Sequence, residues 1–87
     1  MKGKLKNGFK WDVDEKVLDD MELVDAVAES EENPAMVSKV VLKLLGKSQR
    51  DALYDYVRTD DGRVPVDDVT DCVMAIIEAL GDPGKNS

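Results

Sequence analysis

The sequence has no histidine and only one cysteine, Cys72. Histidine is the commonest metal ligand and the side chain that titrates nearest neutral pH, so its absence removes the usual general base and the usual zinc donor. A single cysteine cannot form a disulfide within the chain, and on an apolar helix stripe it is expected to be buried and unreactive. We therefore predict that the protein is not an enzyme, that it has no catalytic, cofactor-binding or metal-binding residues, and that it uses no cofactor.

Long hydrophobic runs are also missing. The longest apolar run, residues 73–77, is far shorter than the roughly 20 residues that span a bilayer. The lysine-rich start of the chain is followed by alternating residues instead of the apolar core of a signal peptide. We therefore expect no membrane association and a cytoplasmic location.

Acidic residues outnumber basic ones, 19 against 12, which gives a net charge of −7. The charge is unevenly spread, because residues 1–11 carry four lysines and no acid whereas residues 12–32 carry ten acids against Lys16. An acidic chain repels phosphate groups, so a nucleic-acid partner is not expected. A protein partner is expected instead.

The length of 87 residues and the hydrophobic fraction of 43% predict one small globular domain over residues 1–81, followed by a mobile tail over residues 82–87. A core of this size is marginal, and a lone hairpin leaves unpaired strand edges. We therefore expect a homo-oligomer that associates through the hairpin edge or through a surface carrying Met36 and Met74.

Residues 2–13 predict a β-hairpin, because apolar residues and lysines alternate on both sides of Asn7-Gly8. A two-residue loop would set the apolar residues of the second strand opposite lysines. A three-residue loop with a left-handed Gly8 pairs Gly3 with Trp11 and gathers the apolar side chains on one face. We predict the three-residue loop and the apolar face that it creates. That face consists of Met1, Gly3, Leu5, Phe9, Trp11 and Val13.

Helical spacing of apolar residues predicts four helices, and the fold class is therefore α+β, an N-terminal β-hairpin packed on a bundle of about four α-helices. The helices are expected at about 15–30, 34–45, 49–58 and 67–80. Asp14 and Asn33 are suitable N-caps, and Gly46 is a suitable helix end. The buried stripe of the first helix is predicted to be Val17, Met21, Val24 and Ala28. The lysines of the second helix are expected to meet the acidic face of the first, within or between chains, and binding of an acidic partner is the second interpretation; they are Lys39, Lys43 and Lys47.

One pattern is reminiscent of a calcium-binding loop, because Asp60, Asp61 and Gly62 precede Asp68. With Gly62 at the sixth position of such a loop, the first ligand would be Val57, and Asp68 at the twelfth position is shorter than the usual bidentate glutamate. An ordinary turn followed by a helix cap is therefore favoured over a metal site.

The last predicted helix has apolar residues over more than half of its circumference, because Met74 lies off the main stripe. Met36 opens the second helix in a similar way. Excess apolar surface that includes methionine fits either deep burial or a groove that receives a partner helix. The candidate partner-binding residues are therefore Met36, Met74 and Ile77.

Residues 9–29 (FKWDVDEKVLDDMELVDAVAE) and 44–69 (LLGKSQRDALYDYVRTDDGRVPVDDV), together with GKNS at 84–87, resemble small proteins from the tail-gene cluster of long-tailed phages and prophages of Gram-positive bacteria. Those proteins look like tail assembly chaperones, encoded between the major tail protein and the tape measure protein. The resemblance implies a protein in the cytoplasm of the bacterial host that binds the helical tape measure protein, keeps it soluble and assists tail-tube assembly. It covers most of the chain but carries over no individual functional residue.

Two alternatives stay open beside the chaperone. One is a small acidic regulatory or adaptor module that binds another protein through the acidic face of the first helix. The other is a structural head-tail component that is retained in the virion.

The predicted register buries Trp11, the only tryptophan of the chain. We expect its fluorescence to be emitted at a shorter wavelength in the native protein than in the urea-unfolded chain. Emission spectra with and without urea measure this shift, and identical spectra would show that the register is wrong.

Overall fold

The predicted hairpin forms at the start of the chain. In the computed structural model, which describes residues 1–81, strand β1 (Lys2–Lys4) pairs antiparallel with strand β2 (Lys10–Asp12). Gly3 lies opposite Trp11, as the three-residue loop predicts. The pairing confirms the register that was derived from the alternation of lysine and apolar residues.

The loop of the hairpin is closed by Gly8, whose φ is 96° and whose N–H donates to the carbonyl oxygen of Leu5 at 2.9 Å. This left-handed conformation is accessible to glycine without a steric cost. The apolar face packs on the helices as expected, with Leu5 half-buried and three residues fully buried, namely Phe9, Trp11 and Val13. Met1 departs from the prediction because it lies at the end of the pairing and is half exposed.

The first predicted helix, over residues 15–30, is interrupted in the structure. Glu15–Leu18 forms a short 3-10 turn, and helix α1 (Met21–Glu32) begins after it. The interruption arises because Asp14 and Asp20 cap two separate elements: each carboxylate accepts the main-chain N–H two residues ahead at 2.9 Å. The N-cap at Asp14 was predicted, whereas the second cap was not.

This interruption changes which face of α1 is buried. The buried residues are Leu23 and Ala26, and Met21 is 69% exposed. Residues before the second cap do not share the helical phase of the residues after it. The buried stripe that was predicted from one continuous helix is therefore wrong; it consisted of Val17, Met21, Val24 and Ala28.

Helix α2 (Val37–Val57) combines the two helices that were predicted over residues 34–45 and 49–58. Gly46 has non-helical angles, φ 77° and ψ 169°, but the chain returns to helix immediately after it. The break was therefore predicted at the right residue, while the structure has three α-helices instead of four. The α+β class is confirmed.

The start of α2 follows the predicted capping pattern. Pro34–Met36 forms a 3-10 turn, and the side chain of Asn33 accepts the N–H of Ala35 at 3.2 Å. The predicted core face is also buried; it consists of Val37, Val40, Val41, Leu44 and Leu45.

Helix α3 (Val66–Leu80) lies close to its predicted bounds and packs on α2, which also packs on α1. Its buried residues join those of the hairpin and α2 in a single apolar cluster, so the core is built around α2. Those α3 residues are Val69, Cys72, Val73, Ile76 and Ile77. None of the helices in residues 1–81 is both long enough and apolar enough to cross a membrane. The predicted mobile tail, residues 82–87, lies outside the described residues.

The acidic face of α1 meets the lysines of α2, as predicted for two of the three lysines. Lys39 Nζ lies 3.4 Å from Glu29 Oε2, and Lys43 Nζ lies 3.0 Å from Glu22 Oε1. The hydrogen bond to Glu22 raises the pKa of Lys43. Both pairs are exposed, so each contributes little to the free energy of unfolding.

The segment that resembled a calcium loop is a turn between α2 and α3. Thr59 accepts the N–H of Gly62 with its carbonyl oxygen at 3.0 Å. The carboxylate of Asp61 accepts a hydrogen bond from the Thr59 hydroxyl and another from Nε of Arg63, the latter at 2.8 Å. These hydrogen bonds, that from Thr59 first, lower the pKa of Asp61. Donors from the same turn therefore occupy this carboxylate.

The close contact between Gly3 and Trp11 gives a test of the hairpin. A Cβ at position 3 would overlap the indole ring of Trp11. We expect Gly3→Ala to lower the free energy of unfolding by about 1–3 kcal/mol, because the ring must move away from its packed position. Urea denaturation followed by Trp11 fluorescence measures the loss.

The matched control is Lys4→Ala, an exposed change in the same strand. It should alter the free energy of unfolding by less than about 0.5 kcal/mol. Equal stability of the two variants would contradict the packing of Trp11 over Gly3.

Candidate functional site

The two outer edges of the hairpin differ in how their main-chain groups are hydrogen-bonded. A two-stranded sheet has two outer rows of main-chain N–H and C=O groups that its own ladder does not satisfy. Met1 exchanges two hydrogen bonds with Val13, its ammonium donating to the Val13 carbonyl at 2.7 Å and its own carbonyl accepting the Val13 N–H at 2.9 Å. Hydrogen-bonded pairs alternate along an antiparallel ladder, so Met1 and Gly3 bond inward while Lys2 and Lys4 direct their main-chain groups outward.

The outer edge of β2 is covered by α2. The side-chain amide of Gln49 forms two hydrogen bonds with the main chain of Asp12. Its Oε1 accepts the Asp12 N–H at 2.8 Å, and its Nε2 donates to the Asp12 carbonyl at 2.7 Å. The same Nε2 also donates to the carbonyl of Leu45 at 3.1 Å, which fixes the amide on its helix. The two hydrogen bonds to Asp12 replace those that the main chain of a neighbouring strand would form with it.

Helix α2 also holds the hairpin loop, which lies at the other end of the strand pair from Asp12. The Tyr56 hydroxyl donates to the carbonyl of Asn7 at 2.5 Å, and the Tyr56 ring lies 5.6 Å from the ring of Phe9. Gln49 and Tyr56 therefore attach both ends of the hairpin to α2.

The outer edge of β1 has no such cover. Within residues 1–81, no hydrogen bond reaches the main chain of Lys2 or Lys4 from another element. A groove of about 680 Å³ runs along this edge, between β1 and α3. Every residue from Met1 to Asn7 lines the groove, which means that the strand presents its edge to it and not only one of its faces. The other lining residues are Trp11, Asp71, Cys72, Ala75, Glu78 and Ala79.

The groove has walls of opposite charge. One wall carries the exposed side chains of Lys2, Lys4 and Lys6, and the other carries the exposed Asp71 and Glu78 of α3. None of these five groups forms an ion pair with another group in the part of the chain that the structure describes. The charges are therefore free to contact a bound molecule.

Between the charged walls the groove is apolar. Its interior is lined by Leu5, the Trp11 ring and the small side chains of Ala75 and Ala79. Small residues on α3 leave the space open. Such a combination of apolar lining and a few placed charges is typical of a binding site.

Cys72 lies at the loop end of the groove, where the Asn7 side-chain amide donates to its Sγ at 3.5 Å. Burial raises the pKa of the Cys72 thiol, and the Asn7 hydrogen bond opposes that effect only in part. The nearby Asp68 and Asp71 raise the pKa further. The thiol is consequently protonated at neutral pH and is a weak nucleophile.

The candidate partner-binding residues do not form a common surface. Ile77 is 5% exposed and belongs to the core, so its side chain has almost no area left for a partner. Met74 is half-buried against the same core, and Met36 is half-buried at the start of α2. None of the three lines the groove. The broad apolar surface of α3 is accounted for mainly by burial against α2 and the hairpin.

Sequence reasoning missed the residues that line the groove on α3. Ala75 and Ala79 are exposed alanines, which carry no signal of their own, and Asp71 and Glu78 resemble any solvated helix residues. The prediction of a lone hairpin did imply unpaired strand edges. Which of the two edges stays open depends on Gln49, and its contact with a strand 37 residues earlier in the chain is not visible in the sequence.

In residues 1–81, no three or more acidic, cysteine or histidine side chains are grouped so that they could hold a metal ion. Comparison with protein-family models, with characterised proteins and with solved structures found no match. A proposal for the function therefore depends on the geometry of the groove and on the resemblance of the sequence.

The Gln49 contact can be tested by its removal. We expect Gln49→Ala to lower the free energy of unfolding by about 1 kcal/mol, because the main chain of Asp12 loses two hydrogen bonds that water replaces only in part. Urea denaturation measures the change. Lys47→Ala, an exposed change on the same helix, should cost less than about 0.5 kcal/mol. A neutral Gln49→Ala would show that the β2 edge does not need its cover.

Proposed function

We propose that the chain is a non-catalytic phage tail assembly chaperone that binds the tape measure protein and assists tail-tube assembly in the cytoplasm of the bacterial host. The observation that carries the proposal is the groove between β1 and α3, which combines an open strand edge, an apolar interior and unpaired charges. The resemblance of residues 9–29 and 44–69 supplies the partner.

The groove suits a chaperone of this kind for a physical reason. A chaperone must cover apolar segments of its client and release them later, so its site has to be apolar but accessible. Here the groove is open along its length, and its charged walls keep the unoccupied site hydrated. The net charge of −7 keeps the protein itself soluble while the client is bound.

The alternative of an acidic regulatory or adaptor module depends on a free acidic face on α1. Two acids of that face, Glu22 and Glu29, already pair with lysines of α2. These pairs leave fewer acids of that face free for the partner of an adaptor.

The third reading, a structural head-tail component, would use the same groove for a permanent neighbour. Mass spectrometry of purified virions separates the two, because a chaperone is absent from the finished particle and a structural component is present in it.

The test of the proposal is co-expression with the tape measure protein that the resemblance implies is encoded beside this chain. We expect the tape measure protein to become soluble and to co-purify with the wild-type chain. Ala75→Glu should abolish co-purification, because it places a bulky charged side chain in the apolar part of the groove. Circular dichroism should show an unchanged helical content, since Ala75 is exposed.

Ala28→Glu is the matched control. Ala28 is likewise an exposed alanine in a helix, and it too lies between acids about one turn away, Asp25 before it and Glu31 and Glu32 after it. We expect this variant to bind as the wild type does. An insoluble tape measure protein in the presence of the wild-type chain, or equal effects of the two variants, would refute the proposed function.

A further inference from the structure

The geometry points to a specific binding mode: β1 receives an extended segment of a protein partner as an added strand, in which acidic residues alternate with apolar residues. This inference rests on the proposed function in one respect, since it specifies how the groove holds its client: through a segment of the tape measure protein that is extended, and not helical, when bound. It also makes a claim about peptide chemistry that can be tested without the tape measure protein.

The main-chain groups of β1 supply the first step. Lys2 and Lys4 direct N–H and C=O groups into the groove, and no other element in residues 1–81 binds them. An extended peptide placed beside an open edge gains a ladder of main-chain hydrogen bonds, which is the basis of strand addition. At about 3.3 Å per residue, a segment of about five residues matches the stretch from Met1 to Leu5, after which the chain enters the loop.

The lysines determine the charge of one face of the added strand. Lys2, Lys4 and Lys10 are exposed on the same face of the hairpin, and Lys4 lies directly opposite Lys10. Like charges in such a cross-strand pair repel each other, and an acidic side chain on an added strand opposite Lys4 would offset that repulsion. A second acid would lie opposite Lys2, whose cross-strand neighbour in the hairpin is Asp12. The segment should therefore present acidic residues on this face.

The other face of the added strand lies against the apolar part of the groove. Alternate side chains point to opposite faces of a strand, so the residues between the acids would contact Leu5, Ala75 and Ala79. Asp71 and Glu78 border this side, and they would repel an acid placed there. The two walls together thus fix which residues of the segment are acidic and which are apolar.

The same charges argue against a second copy of the chain. Antiparallel pairing of β1 with β1 would set the lysines of one copy opposite those of the other, which is unfavourable in every register that keeps the faces aligned. A nucleic acid would contact the lysines through its phosphates but would meet Asp71 and Glu78 on the opposite wall. An acidic, apolar-alternating peptide fits both walls.

The test uses the full chain and a fluorescein-labelled peptide of alternating valine and glutamate, about seven residues long, so that it extends past both ends of the edge. Fluorescence anisotropy measures its affinity for the wild type and for two variants, Lys4→Pro and Lys10→Pro. Each proline removes one lysine charge and one outward N–H, but only Lys4 lies on the open edge. We expect Lys4→Pro to weaken binding by about tenfold and Lys10→Pro by less than about threefold.

Two further comparisons separate charge from the main chain. Lys4→Ala keeps the N–H and should weaken binding less than Lys4→Pro does. A peptide in which every second amide is N-methylated, made in both possible phases, should lose binding in one phase only. Because this last measurement leaves the protein unchanged, it stays decisive even if Lys4→Pro unfolds the hairpin. A peptide with lysine in place of glutamate should not bind.

Several outcomes would overturn the inference. Equal weakening by the two prolines, or tight binding of both N-methylated peptides, would mean that charge alone is recognised. A single-stranded DNA that competes with the peptide would assign the lysines to nucleic acid. A stable dimer that Lys4→Pro converts to monomer would assign the edge to a second copy.

The results also distinguish this inference from the proposed function. If the tape measure protein is lost with Ala75→Glu but retained with Lys4→Pro, the groove is the binding site and strand addition is wrong. If the peptide binds as described but the tape measure protein does not co-purify, the open edge serves a different client.

Discussion

The packing of the Trp11 ring across Gly3 is the contact on which the rest of the hairpin depends. It leaves no room for a Cβ at position 3 and so holds the two strands in one register. That register puts the lysines on the solvent face and directs the free main-chain groups of Lys2 and Lys4 into the groove. A shift by one residue would bury lysines and move those groups to the other side.

The hairpin could be predicted from the sequence because its information is local. Asn7-Gly8 indicates the loop, and the alternation of lysine with apolar residues selects the register. The core face of α2 was predictable for the same reason, since its apolar residues keep one helical phase as far as Gly46. The stripe of α1 was not, because Asp20 restarts the helix, and an aspartate in a helical pattern looks the same whether it caps or is solvated.

The candidate site shows where sequence reasoning stops. A methionine on a helix indicates apolar surface but not whether that surface is covered, and Met74 and Ile77 turn out to pack against the core. The groove lies beside the small side chains of Ala75 and Ala79 on α3, along the sheet edge that Gln49 does not cover. Each of these is a property of two distant segments placed together, which a single sequence does not encode visibly.

The kink at Gly46 separates two sets of contacts that α2 makes. Lys39 and Lys43, which contact α1, lie before it, whereas Gln49 and Tyr56, which hold the hairpin, lie after it. The buried residues of both halves nevertheless join one apolar cluster. The direction that the chain takes at Gly46 therefore sets how the hairpin is oriented relative to α1, and with it the position of the β1 edge.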